Sequence, residues 1–447
     1  MQPLPKKFEE QMKRLLGEAG FFAYLDALNQ PYTRALRVNL LLRPDGTPPC
    51  PIEGLGAPVP WAKGAYFVEG DARPGLSPLH EGGLFYMQEP SALTAVTALD
   101  PQPGERVLDL CAAPGGKSTQ IAALMAGRGL LCCNEPIPSR AQILSRNIER
   151  MGVRNAVVLS AMPDALAPRF SAFFDRILVD APCSGEGMFR RQPEARDEWD
   201  ADAPRHCADR QMEILAQAAK MLRPGGTMVY STCTFNDTEN EGVLRRFLAL
   251  HPEFSLVPFA LPGLPEAKDG YLHLYPHEMR GEGHFVSRLK KADAPVQAVP
   301  QRKAPARAAA RGKAPAPIAL PDVFSGAFAP ERLYTAGDAL WMLPEGISIE
   351  QLSGLRVLRT GLLLAHAEGK RSEPDHALAM ALHPEEAART ASLTQTQALA
   401  YQAGETLSLG DLPGGYTLLC CEGVSLGWGK QAGGLMKNHY PKGLRRR

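Results

Sequence analysis

Between residues 106 and 231 one pattern recurs: a short apolar run, a turn rich in glycine or proline, then a stretch with helical spacing. Residues 106–110, 130–134, 156–159, 176–180 and 227–231 read as strands. Residues 118–125 and 211–222 read as helices, the second closed by Pro224-Gly225-Gly226. Strands alternating with helices predict the α/β class, with a mostly parallel, doubly wound, Rossmann-like sheet. Ligands in such sheets collect at the carboxyl ends of the strands, so the chemistry is sought there.

The flanks differ in composition. Residues 1–75 read as a small mixed module, with helical spacing from Phe8 to Leu28 and strands at 36–42 and 66–68. The repeating core is placed at 76–291. Residues 292–320 are rich in proline and alanine, and carry Arg302, Lys303, Arg307, Arg311 and Lys313 against the single acid Asp293. They read as a semi-extended basic linker. Residues 321–447 form a further domain with no catalytic cluster. Its end, from Gly423, holds six Lys or Arg and no acid, with Trp428, His439 and Tyr440 among them. Cations interleaved with aromatics suit looped RNA, where bases stack and phosphates need neutralising; a solvated tail is the alternative. These local surfaces are hidden in a formal charge of +1 over 447 residues.

Several classes are excluded. The hydrophobic share of 45 % and charged share of 22 % are those of a globular chain, not a disordered one. The N-terminus lacks a secretory apolar region, and no run of about 18 apolar residues occurs, so a cytoplasmic protein without a membrane partner is expected. Nine scattered cysteines without a Cys-x-x-Cys pair argue against a disulfide framework and a zinc site, and no metal is expected.

Two motifs carry the chemistry. Asp109-Leu110-Cys111-Ala112-Ala113-Pro114-Gly115-Gly116-Lys117-Ser118 joins a strand to a helix. Its close resembles a P-loop, but Cys111 stands where that loop needs glycine and Pro114 removes an N–H from the phosphate cradle, so a nucleotide triphosphatase is disfavoured. The other reading is a turn for S-adenosylmethionine: Gly115 and Gly116 admit a close ligand, and the helix start suits its carboxylate. Glu135, nineteen residues after Gly116, stands near the spacing at which an acid grips ribose hydroxyls.

The second motif is a pair of cysteines. Asp180-Ala181-Pro182-Cys183-Ser184-Gly185 ends the fourth strand and Ser231-Thr232-Cys233-Thr234 the fifth, which puts both thiols over one crevice. Cys132, Cys133, Cys420 and Cys421 read instead as small buried hydrophobes. A thiol serves a methyl donor when the acceptor is an unreactive carbon such as carbon 5 of cytosine. Thiolate addition to carbon 6 makes carbon 5 nucleophilic, and a second acid or base must then help expel the thiol. A free thiol is only ~3 % ionised at pH 7, so the site must raise that fraction. Asp180 is placed to hold the exocyclic amine and nitrogen 3 of cytosine and, if protonated, to stabilise the charge formed on addition. Spacing does not rank the two thiols. Downstream, Thr238 and Glu241 are spaced as a capping box, a structural reading of Asn236–Glu241.

At this point the residues resemble the Nop/Sun RNA (cytosine-5) methyltransferases, through the turn motif, Asp180 to Gly185 and Ser231 to Thr234. Gly185-Glu186-Gly187-Met188-Phe189-Arg190, Gly281-Glu282-Gly283-His284-Phe285 and the end from Gly427 to Arg445 are similar to the RsmF-type branch, which modifies small-subunit ribosomal RNA. The resemblance implies a class I S-adenosylmethionine-dependent methyltransferase fold, with an N-terminal RNA-binding module containing Arg37 and Asn39 and a PUA-like C-terminal domain. It implies that Cys233 is the nucleophile, that Cys183 assists product release, and that Cys111, Ala112, Ala113, Pro114, Gly115, Gly116, Lys117, Glu135 and Asp180 bind the cofactor. The implied partner is 16S rRNA or the small ribosomal subunit, met by a monomer. Transfer RNA methylation and a non-catalytic RNA-binding assembly factor are the rival expectations. The family's usual acid near the adenine has no clear counterpart, since Asp164 follows Pro163; Asp164 is not assigned that contact.

Overall fold

The computed structural model describes residues 4–192, 194–293, 318–319, 322–326, 328–368 and 371–445. The expected linker falls almost wholly outside the described residues.

The chain opens on helix α1 (Lys6–Leu28), which bends at Gly17, where φ is +68°. Its apolar face, Phe8, Met12, Phe21 and Tyr24, packs on Phe189, Phe235 and Tyr275 from loops of the core. A small antiparallel sheet follows, in the order Leu55–Pro58, Ala65–Val68, Arg34–Val38, Phe85–Gln88. The last strand lies past the expected boundary at 75, because Val38 to Ala35 pair with Phe85 to Gln88.

The central sheet has nine strands: β1 (Arg106–Asp109), β2 (Leu130–Asn134), β3 (Ala156–Leu159), β4 (Phe174–Asp180), β5 (Leu222–Thr232), β6 (Phe254–Leu256), β7 (Tyr271–Leu274), β8 (His284–Lys291) and β9 (Val357–Arg359). The order is β6-β8-β5-β4-β1-β2-β3-β9, with β7 also on β8. β5, β4, β1, β2 and β3 run parallel. β8 pairs antiparallel with β5 and with β6 and β7 beyond it, and β9, antiparallel to β3, forms the opposite edge. The sheet is therefore the doubly wound, mostly parallel one expected. Strand order reverses between β1 and β4, and there the crevice opens.

Side chains alternate between two cores, as a sheet covered on both faces demands. Val107, Leu131, Cys133, Leu178 and Val229 face one side, under α2 (Leu93–Leu99), α3 (Gly116–Leu124) and α4 (Pro138–Arg150). Leu108, Cys132, Ile177, Val179 and Met228 face the other, under α5 (Ala203–Met221) and α6 (Glu241–Leu250). Cys132 and Cys133 thus serve as apolar filling, as do Cys420 and Cys421 further on.

Two expected boundaries are corrected. Helix α5 begins well before residue 211 and ends at Met221. Pro224-Gly225-Gly226 lies inside β5 as an irregularity: Phe174 pairs with Leu222 and Arg176 with Thr227, so the extra residues bulge out, with Gly225 at φ +69°. Pairing with β4 overrides the helix-stop signal.

The C-terminal part contains two four-stranded sheets rather than one domain's worth. The first joins Leu333–Ala336, Ala339–Met342, Leu362–Glu368 and Arg371–Pro374, and the second Thr390–Ser392, Gly415–Cys421, Val424–Ala432 and Leu435–Asn438. Between strands of the first, the chain leaves to supply β9 to the central sheet. Ser160 N–H donates to the Arg356 carbonyl there (2.9 Å), and Arg359 pairs with Glu149.

Candidate active site

The carboxyl ends of β1, β2, β4 and β5 carry Asp109, Glu135, Asp180 and Cys233 respectively, and the crevice between them is polar. Cys183, in the loop after β4, lies with its sulfur 3.3 Å from that of Cys233. The two thiols expected over one crevice are thus in contact. Beside them, Lys117 Nζ donates to Asp180 Oδ2 (2.7 Å) and Ser231 Oγ to Asp180 Oδ1 (2.8 Å). His284, buried on β8, places Nε2 3.5 Å from the same Oδ1.

Electrostatics separates these groups. Burial alone would raise the Asp180 carboxyl, but Lys117 and His284 outweigh it and hold it well below the usual range. Burial would also discharge Lys117, yet Asp180 more than compensates, and Cys233 and Asp109 act the same way. His284 goes down through burial, so its ring is neutral at pH 7. The Cys183 thiol is pushed well up, first by its hydrogen bond to Cys233, then by burial, then by the charges of Cys233 and Glu239. The protonated Asp180 considered above is not what this site holds: an ammonium at 2.7 Å keeps it a carboxylate.

The turn from Cys111 to Lys117 is tied down from behind. Ala112 N–H donates to the Asn134 carbonyl (2.9 Å), while Asn134 Nδ2 reaches the carbonyls of Leu110 and Ala161. Arg140 and Asn147 on α4 hold the carbonyls of Ala113 and Pro114. Gly115 has φ +114°, where a side chain is strained, and a Cβ on Gly116 would stand 3.2 Å from the Tyr86 ring. Lys117 is engaged with Asp180, not turned toward a phosphate cradle.

Comparison with known proteins decides the family. Four family profiles tile the chain: the N-terminal domain of 16S rRNA methyltransferase RsmF over residues 4–90, 16S rRNA methyltransferase RsmB/F over 96–290, the RsmF first C-terminal domain over 322–382 and the RsmF PUA domain over 388–446. Ribosomal RNA small subunit methyltransferase F of Erwinia tasmaniensis is 34 % identical, over 98 % of this chain and 96 % of that protein. The protein of the same name from Enterobacter sp. is also 34 % identical, over 98 % and 95 %. The chain belongs to the RsmF family of 16S rRNA methyltransferases. A methyltransferase homolog from Pyrococcus horikoshii is 30 % identical with TM-score 0.54, over 64 % of this chain and 95 % of that one. NSun6 from the same organism, solved with the S-adenosylmethionine analogue SFG, shares the fold at 22 % identity and TM-score 0.55, over 65 % and 99 %.

As a member of the RsmF family the protein is an S-adenosylmethionine-dependent methyltransferase. The crevice fits that cofactor. Asp109 and Glu135 are buried acids at neighbouring strand ends, suited to a cation and to hydroxyls. Asp109 takes the Ser118 hydroxyl on Oδ2 (2.6 Å), and its Oδ1 is buried without a partner among the described residues. Glu135 Oε1 accepts from Ile137 N–H (3.0 Å), and Arg140 Nη1 lies 3.4 Å from Oε2.

Burial pushes the Asp109 carboxyl up to about 7. Below that pH it is neutral, and above it charged. A cation bound over Oδ1 gains from the charged form, so cofactor affinity is expected to rise as pH passes 7. One unit of pKa displacement by the ligand corresponds to about tenfold in affinity. Calorimetric titration between pH 6 and 8 checks this, and Asp109→Asn should flatten the profile.

Some functional residues were missed from sequence. Glu186, fully buried, accepts the N–H groups of Phe235 (2.8 Å) and Asn236 (3.0 Å), and Gly187 N–H donates to the Cys233 carbonyl (2.8 Å). Arg190 grips Glu282 with two nitrogens (2.8 and 2.7 Å) and the Ala27 carbonyl with a third. The two RsmF-type segments thereby lock α1 and the Cys233 loop together. The expected capping box does not form. Asn240 precedes α6 without a capping bond, because its side chain holds Thr232 and the Thr234 carbonyl instead, while Glu241 pairs with His273 (2.6 Å).

Arg37 and Asn39 are buried rather than presented to RNA. Arg37 bonds Thr119 Oγ1 (2.8 Å) on α3, and Asn39 the carbonyls of Gly83 and Met151. Nor do Trp428 and Tyr440 form a stacking surface. Both are core residues, with Trp428 Nε1 donating to the Asp375 carbonyl (2.8 Å). Lys437 and Lys442 remain exposed. No described helix is long and apolar enough to cross a membrane, and no cluster of metal ligands occurs among the described residues.

Proposed function

We propose that this protein methylates carbon 5 of a cytosine in 16S rRNA through a transient bond between Cys233 Sγ and carbon 6, resolved with help from Cys183. The observation that carries the reading is the sulfur pair 3.3 Å apart beside the Lys117–Asp180 ion pair. When bound, S-adenosylmethionine supplies the electrophilic methyl group, held by Asp109, Glu135 and the turn from Cys111 to Lys117.

The chain's own groups divide the remaining work. Nucleophilic thiols belong beside cations, and the charge of Cys233 is among those that favour the Lys117 ammonium. Its attack forms the S–C6 bond and moves the ring electrons toward carbon 5. Asp180, ionised, has lone pairs beyond those used by Lys117 and Ser231 to accept from the exocyclic amine. After transfer, carbon 5 carries both a methyl group and a proton. Cys183, as thiolate, takes the proton; the C–H pair restores the C5–C6 double bond, and the S–C6 pair leaves with Cys233.

The timing follows from the causes of the high Cys183 pKa. Two of the three largest come from Cys233, its hydrogen bond and its charge. Both are lost once Cys233 is bonded to carbon, which lowers the cost of taking the proton from Cys183 when a base is needed. The protein is taken to act as a monomer in the cytoplasm, where ribosomal RNA is found. The N-terminal module and the exposed cations of the C-terminal module are assigned to RNA contact. The names of the curated relatives favour small-subunit RNA over transfer RNA.

The test is product identity. Protein, methyl-labelled cofactor and 16S rRNA or assembled small subunits are incubated and the RNA digested to nucleosides. Label in 5-methylcytidine is expected; label on another atom or another nucleoside overturns the proposal.

A further inference from the structure

Cys183 sits in a loop without regular structure, yet its sulfur is held against Cys233. The two peptide groups that flank it explain how. The Pro182 carbonyl accepts from Gln211 Nε2 (3.0 Å) on α5, and the Ser184 N–H donates to Glu239 Oε2 (3.1 Å). Gln211 Nε2 also donates to Glu239 Oε2 (2.8 Å), and its Oε1 lies 2.9 Å from the Tyr230 hydroxyl. Asn236 Nδ2 donates to Glu239 Oε1 (2.8 Å). Gln211 and Glu239 are fully buried.

We infer that Gln211 and Glu239 are positioning residues for Cys183, a buried clamp on both sides of the thiol that serves product release rather than attack. The inference rests on the covalent reading above. The donor set explains the residue types. Three donors converge on Glu239: a backbone N–H and two amide nitrogens. A carboxylate accepts all of them, whereas an amide would aim its own N–H at one. The same charge acts on the Cys183 sulfur and favours its protonated form. Cys233 has its own anchors, Glu186 and the Gly187 N–H, so a change at the clamp falls mainly on Cys183.

The experiment compares Glu239→Gln, Gln211→Met and Cys183→Ala with the parent full-length protein on one RNA. Single-turnover transfer, steady-state turnover and protein–RNA adduct on denaturing gels are measured. For both clamp variants the ratio of steady-state to single-turnover rate is expected to fall about tenfold, the scale of a small misplacement, with adduct accumulating and KM for RNA unchanged. A change of general stability would not trap adduct. Gln211→Met leaves the carboxylate in place while removing the bond to the Pro182 carbonyl and one of the three donors to Glu239, so the inference stays testable if Glu239→Gln does not fold. If Cys183→Ala traps adduct and the folded clamp variants do not, or if their single-turnover rate falls as far as turnover, the inference is overturned and the covalent reading stands. If Cys183→Ala traps none, the reading itself falls and the inference with it.

Discussion

Cys233→Ala protein is expected to lose methyl transfer by about 10⁴-fold or more, the scale on which removing a covalent nucleophile acts. The reason is chemical. Without a sulfur at carbon 6, carbon 5 of the ring stays an unactivated carbon, and Cys183 cannot substitute: its thiol is pushed well up and lies on the Glu239 side of the pair. Cofactor binding should survive, since Asp109, Glu135 and the turn belong to other strand ends. Scintillation counting of labelled RNA and calorimetry with S-adenosylmethionine on one preparation check both halves. Residual transfer within tenfold of the parent would reverse the roles of the thiols.

Cys183→Ala should give the opposite phenotype. Attack and transfer proceed, but carbon 5 keeps its proton and the S–C6 bond cannot break. A stoichiometric protein–RNA band should persist through denaturation, and steady-state turnover should fall by 10²-fold or more, the usual contribution of a positioned base. The band should vanish in the Cys183→Ala, Cys233→Ala double variant. A band that survives in the double variant would place the bond on another residue.

Much of this was legible because it is local. Each parallel strand is a short apolar run with its own turn, so β2 and β3 start and end where the sequence placed them. The crevice followed from topology, and Asp180, Cys183 and Cys233 fell in it because they end neighbouring strands. What stayed hidden depends on distant partners. Glu186 enters only as part of a family-like segment and Glu239 only as part of a capping stretch; nothing within several residues reveals that a backbone loop supplies their donors. The stretch Asn236–Glu241, with Thr238 and Glu241 at capping-box spacing, reads as helix-capping chemistry because that chemistry is local, whereas Thr232 and His273 take Asn240 and Glu241 instead. The aromatics near the C-terminus misled for the same reason: a cation-rich stretch suggested a surface, but Trp428 and Tyr440 point into a sheet that only the fold assembles.

Strand β9 has a mechanical result. Because Val357 and Arg359 pair with β3, and Arg154 grips both the Ala381 carbonyl and Glu386, the C-terminal modules are riveted to the same sheet that carries the sulfur pair. The reach from those modules to the reacting atoms is therefore a fixed dimension of the enzyme, like the arm of a jig. Adding or deleting residues in the proline-rich stretch should leave the selected nucleotide unchanged, whereas loosening β9 should blur it.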